Sequence, residues 1–270
     1  MKKGWKILTG IAAVIVLLLA VVMFATSGMR STANDFFGAV KQQDMTKART
    51  YLSEEFKAST NEETLKEFLS RSALLNFKEA KWAESSINGG RGELNGTITT
   101  ETGGNIPIKL MFIKENDEWK IYAMQKPTAG LQPSETSEAS AGTTPKKSAT
   151  TVPGKTEQIA LARQSMHDFA LSIKSKNMAH FRSTISNMWQ SQFTTEKLNE
   201  GYAPIIKADI DLTVLDPLEP ILDQEASINQ DGVLIIKGHY PTKPSVVSFE
   251  SKYIYEGISW KLIGFFLDIK

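Results

Sequence analysis

The chain contains no cysteine, which removes disulfides, thiolate metal sites, a cysteine nucleophile and the lipid-bearing cysteine of a bacterial lipoprotein. Nor is there an excess of either charge: 31 Lys and Arg against 30 Asp and Glu leave a formal net charge of +1. No basic stripe interleaved with aromatics occurs, so nucleic acid is not an expected partner. Histidine is scarce. His167, His180 and His239 share no common face or ligand spacing, and no metal site is expected. A Walker glycine loop, a dinucleotide fingerprint and a serine nucleophile elbow are all missing. No catalytic residue and no cofactor is therefore assigned, although these absences only remove the usual signs of catalysis.

One long apolar run is present. From Ile7 to Phe24 only Thr9 and Gly10 interrupt it, and as a helix at about 1.5 Å per residue it reaches roughly 27 Å, near the ~30 Å thickness of bilayer hydrocarbon. Lys2, Lys3 and Lys6 precede it and only Arg30 follows closely. That bias orients the N-terminus to the cytoplasm and the remainder outside a bacterial cytoplasmic membrane. The rival is a cleaved secretory signal. Its hydrophobic region would span about 7 to 15 residues and end at a small-x-small site, for which Ala25-Thr26-Ser27 is a weak match. The expectation is a single-pass anchor within residues 1–28.

The rest of the chain repeats itself. Asp35-Phe36, Leu52, Phe56 and Leu65 recur at one constant spacing as Asp168-Phe169, Ile185, Trp189 and Leu198. Ile113-Lys114-Glu115 leading to Trp119-Lys120-Ile121 recurs as Ile254-Tyr255-Glu256 leading to Trp260-Lys261-Leu262. Two similar domains are expected, at 30–125 and 158–270, with a linker at 126–157. In that linker Pro127, Pro133, Pro145 and Pro153 stand among Ser, Thr, Ala and Gly without apolar periodicity, a composition expected to be disordered.

In the first repeat Ala33, Phe36, Phe37 and Val40 recur at helical steps, and Met45, Ala48, Leu52 and Phe56 suggest a second short helix after Asp44. Thr60 followed by Glu63 reads as a capping box opening a third helix around Leu65, Phe68 and Leu69. Past Asn76 the period becomes that of strands, punctuated by Asn88-Gly89-Gly90, Gly103-Gly104-Asn105 and Asn116-Asp117. The second repeat reads alike. Ile159, Ala162, Met166, Phe169 and Ile173 mark one helix, Met178 to Phe193 the next, and Thr195-Glu196 a third ending near Pro204. Strands are predicted at Ile210 to Leu215, Val233 to Tyr240, Val246 to Tyr255 and Ser259 to Ile269, with a solvated acidic loop from Asp216 to Asp231. Helices followed by an antiparallel meander give the class α+β.

Helices running into a meander whose last hairpin carries Glu115 and Trp119-Lys120-Ile121, with Asp35-Phe36 upstream, resemble the nuclear transport factor 2-like (cystatin-like) fold. This is a cone-shaped α+β domain shared with ketosteroid isomerases and bacterial envelope proteins. Asp168-Phe169, Glu256 and Trp260-Lys261-Leu262 carry the same resemblance. Isomerases of this fold place a base inside the cone opposite a donor, usually a tyrosine, and Tyr51 has Thr184 as its counterpart, so the repeats do not share one. Asp35 and Asp168 are instead read as solvated acids beside helix starts.

Trp119 and Trp260 are expected as core anchors, with pocket lining as the alternative role. The last strand, Leu262 to Leu267, is apolar on both faces, whereas a sheet packed on one side alternates. Either both faces are covered internally, or Phe265 and Phe266 form a partner surface. The expected function is non-catalytic display of two binding domains toward an envelope protein or ligand, with homo-oligomerisation left open. The alternatives are a small-molecule or isomerase-like use of the cone interior, and a scaffold subunit of an envelope secretion complex.

Overall fold

A computed structural model describes residues 27–126 and 152–269. The apolar run from Ile7 to Phe24 and nearly all of the linker lie outside these residues. Among the described residues no helix is long and apolar enough to cross a membrane. The chain divides into two compact units, Met1–Lys126 and Pro127–Lys270.

In the first unit a helix at residues 27–41 (α1) places Met29, Ala33, Phe36, Phe37 and Val40 at no measurable exposure, as their three- and four-residue steps require. The chain then reverses through Gln43, whose φ is 59°. Asp44 caps α2 (Met45–Thr50), its side chain accepting the Lys47 amide. The predicted single helix through Phe56 is in fact two. Ser53 interrupts it, its hydroxyl accepting the Phe56 amide to open α3 (Glu54–Ser59), because a serine oxygen competes with the helical ladder and favours a cap. The cap of α4 (Glu62–Arg71) is Asn61 rather than Thr60, with its side chain on the Thr64 amide. Thr60 instead sits in extended backbone with its side chain buried.

A 3-10 turn at Leu74–Asn76 leads into β1 (Phe77–Asn88), β2 (Arg91–Thr100), β3 (Asn105–Glu115) and β4 (Glu118–Gln125). They form an antiparallel meander in sequence order. The predicted turns are where the strands reverse. Gly89 and Gly90 both take positive φ, at 56° and 82°, as do Asn116 and Asp117 at 50° and 66°, the geometry of two-residue hairpins whose twist matches the strands.

The second unit follows the same plan: α5 (Lys155–Lys174), α6 (Ala179–Thr184), α7 (Asn187–Gln192), α8 (Thr195–Gly201) and α9 (Ala203–Lys207), then strands. Helix α5 begins within the expected linker, with Gln158 buried and its amide donating to the Pro153 carbonyl at 2.7 Å. Met178 to Phe193 again divides at a serine, Ser186, whose side chain accepts the Trp189 amide. The third helix, α8, ends at Gly201, close to Pro204 as expected, but Pro204 itself belongs to the next helix. It stands in the first turn of α9, where its missing N–H leaves no bond unmade.

The strand expected at 210–215 is a 3-10 turn, Leu212–Leu215. Asp211 accepts the Thr213 amide, and Leu212 and Leu215 are both buried, an i,i+3 pair on one side of a 3-10 turn. The strands come instead from the supposed acidic loop, as β5 (Ile221–Leu222) and β6 (Ser227–Ile228). Both pair with β7 (Leu234–Tyr240), which is followed by β8 (Val247–Glu256) and β9 (Ser259–Ile269).

Two locks recur in both units. The Ser53 amide donates to the Ile121 carbonyl, and the Ser186 amide to that of Leu262, each at 2.9 Å. The next residue's amide is taken by the hairpin glutamate: Glu54 N–H to Glu115 at 2.9 Å, and Asn187 N–H to both oxygens of Glu256 at 3.2 and 3.1 Å. The strand register also shifts at matching places, Met111/Phe112 and Lys252/Tyr253. Both units are therefore helices packed on an antiparallel sheet, α+β, with the resemblance-bearing glutamates acting as helix caps.

Candidate functional site

The interior of the second unit is occupied by its own rings. Phe169 meets Phe181, Tyr202 and Phe265 at centroid distances of 5.3, 4.9 and 5.1 Å, and the Tyr202 hydroxyl donates to the Phe265 carbonyl at 3.1 Å. Phe265 and Phe266 therefore do not share a surface. Phe265 is 8% exposed and belongs to the core, while Phe266 is 64% exposed, because neighbouring strand residues point to opposite faces. Phe266 stands opposite Glu250 on β8, whose carboxylate pairs with Lys237 and Lys252 at 2.8 and 3.1 Å.

Trp119 and Trp260 are buried in their respective units. Gly28 lies so close to Trp119 that a Cβ there would stand 2.8 Å from the ring, and Lys114 Nζ sits 5.5 Å from its centroid. Trp260 meets Tyr255 edge-on at 5.3 Å. Both fill core space and neither lines the cleft described below.

The aspartates are not beside helix starts. Asp35 lies within α1 and is exposed, accepting from the Ser31 hydroxyl at 3.3 Å. Asp168 lies deep in α5 at 5% exposure, accepting from Gln164 at 3.0 Å and lying 3.2 Å from His180 Nε2. Helix-dipole stabilisation fades beyond the first turn, so side chains rather than the helix end satisfy Asp168.

All three histidines pair with aspartates, an arrangement the sequence conceals. Besides His180 and Asp168, His167 Nδ1 lies 3.0 Å from Asp216, and His239 Nδ1 lies 2.6 Å from Asp223. The partners sit on separate segments, which is why no spacing betrays them. Among the described residues no group of three or more acids and histidines is arranged to hold a metal.

A cleft of about 390 Å³ opens beside α5. Ala160, Arg163, Gln164, Met166 and His167 line it from the helix, Leu215 and Asp216 from the end of the 3-10 turn, and Tyr240 from the end of β7. The Arg163 guanidinium donates to the Asp216 carbonyl at 3.0 Å, holding turn and helix together.

Burial pushes Tyr202 and Tyr253 up to about 12, from an ordinary value of 10.0. Burial likewise raises Tyr240 and Tyr255. The unfolded chain releases these protons near pH 10 while the folded unit holds them, so rising pH favours unfolding. The expected loss is about 1.4 kcal/mol per pH unit for each such tyrosine between roughly pH 10 and 12. Equilibrium urea titrations at pH 8, 10 and 11 measure it. A second-unit midpoint that stays level across them refutes the burial of these phenols.

No protein-family model and no curated protein matches the chain. Among solved structures, a variant designated Rd1NTF2_05 is similar at 15% identity and a TM-score of 0.30, over 37% of this chain and 96% of its own. A cystatin-like protein from Ruminococcus gnavus is similar at 13% identity and a TM-score of 0.26, over 92% of this chain and 91% of its own. At these scores the overlap adds nothing to the architecture, which rests on element order and strand pairing.

Proposed function

We propose that this is a non-catalytic, single-pass membrane protein that holds two nuclear transport factor 2-like domains, products of an internal duplication, outside a bacterial cytoplasmic membrane. There the second domain binds another envelope protein. The apolar run from Ile7 to Phe24 with its preceding lysines supports the anchor and its orientation. The recurring serine and glutamate locks support the duplication. The second unit's interior, filled by Phe169, Phe181, Tyr202 and Phe265, argues against isomerase-like chemistry there, since a base needs room for a substrate.

The observation that carries the binding role is Phe266. An aromatic ring 64% exposed on a face otherwise stitched by Lys237, Glu250 and Lys252 has the character of an interface anchor inside a polar rim. Full-length protein is crosslinked in intact cells and its adducts recovered. Phe266→Asp is expected to reduce recovery of the partner about tenfold while leaving the melting temperature unchanged, and Lys237→Ala to change recovery little. Equal recovery from Phe266→Asp and the parent rejects this surface. Failure of added protease to cleave the domains in osmotically opened cells rejects their external placement.

A further inference from the structure

Tyr240 stands at the cleft. Its residue is 1% exposed, yet among the described residues its hydroxyl has no hydrogen-bond partner, and it forms part of the cleft wall beside α5. The hydroxyl oxygen is not fully enclosed, so it can donate to a molecule held in the cleft. Its neighbours are charged. Arg163 and Asp216 both act electrostatically on the phenol, and they are tied to each other through the Asp216 carbonyl. One Asp216 oxygen faces His167.

The cleft thus gathers one fixed cation, one carboxylate and a phenol whose hydroxyl has no partner among the described residues, with Ala160, Met166 and Leu215 as an apolar wall. A dianion such as phosphate would meet Asp216 as well as Arg163. A monoanion would leave Asp216 with only His167 as its partner, and a cation would leave Arg163 with only the Asp216 carbonyl. A molecule carrying both charges a few ångströms apart answers both, and about 390 Å³ falls within the usual range for small-ligand sites, roughly 300–1,000 Å³.

We infer that this cleft binds a small zwitterion of the α-amino-acid type, its carboxylate on Arg163 and the Tyr240 hydroxyl, its ammonium on Asp216, and its apolar side chain against Met166 and Leu215. Charge-assisted bonds to guanidinium and carboxylate are the strong ones, and the phenol supplies the donor that the protein itself does not use. This ligand site is distinct from the Phe266 surface, and either can stand without the other.

The test is calorimetric titration of the full-length protein with L-leucine, 4-methylpentanoate, which lacks the ammonium, and 3-methylbutylamine, which lacks the carboxylate. Leucine is expected to bind saturably, and each half-molecule at least about tenfold more weakly, one hydrogen bond to a charge being worth about that factor. Arg163→Gln and Asp216→Asn should each weaken leucine by a similar factor. Tyr240→Phe should weaken it while leaving the unliganded melting temperature little changed, because the hydroxyl is accessible from the cleft and has no protein hydrogen bond to lose. Saturable leucine binding with these losses supports the site. Absence of saturable binding, equal binding of either half-molecule, or leucine affinity unchanged in Tyr240→Phe overturns it. The analogue arms need no variant, so a variant that fails to fold leaves the result decided.

Discussion

Phe169→Ala is expected to destabilise the second unit by about 3–5 kcal/mol, the usual cost of emptying a buried aromatic site. Phe169 has no measurable exposure and is the hub of the ring cluster, in contact with Phe181, Tyr202 and Phe265. Those three rings are held by separate elements, α6, the end of α8 and β9, so collapse into the void requires several backbones to move together. Partial relaxation leaves a cavity, and the cavity adds to the lost transfer energy. Against a typical domain stability of about 5–15 kcal/mol, this is a large fraction. Urea denaturation followed by tryptophan fluorescence and circular dichroism is expected to show the second unit's transition moved to lower denaturant and the first unit's unmoved. A change under about 1 kcal/mol would show that Phe169 is not the hub.

Glu256→Ala is expected to cost about 3 kcal/mol, and Glu115→Ala about 1 kcal/mol. Both carboxylates accept the first amide of a short helix, from Asn187 and from Glu54. Their surroundings differ: Glu256 is 1% exposed, whereas Glu115 is half-buried. Water can take over at Glu54 once Glu115 is gone, but it reaches Asn187 poorly, and an amide left unmet in low dielectric carries the full desolvation penalty. Glu256→Gln retains an accepting oxygen and should fall between the parent and Glu256→Ala. The midpoints of matched denaturation curves test this order. If Glu256→Ala costs no more than Glu115→Ala, burial is not what sets the value of the lock.

Locally encoded features were legible in the residues. Gly89-Gly90 and Asn116-Asp117 announce hairpins because few other residues accept positive φ, and the three- and four-residue steps of Phe36, Phe37 and Val40 announce a buried helical face. Features set by competition were not. Phe56 and Trp189 continue a helical stripe past Ser53 and Ser186, and periodicity alone cannot show that each serine caps a new helix whose preceding backbone bonds to a strand. Leu212 and Leu215 read as strand in the sequence but form a 3-10 turn, because a short apolar stretch carries too few residues to tell one period from another. Asp168 gave no sign that it would be buried while Asp35 stayed exposed, since the two occupy equivalent places in the repeat.

By itself, then, the amino-acid sequence determined the α+β class, the twofold repetition, the hairpin positions and the want of the usual catalytic motifs, because each follows from local backbone preference or from residue type. Tertiary structure alone decided that Phe265 faces inward and Phe266 outward, that each histidine meets an aspartate, and that Tyr240 opens on a cleft beside Arg163 and Asp216. These depend on strands and helices far apart in the chain being brought side by side, and no spacing along the sequence measures that distance.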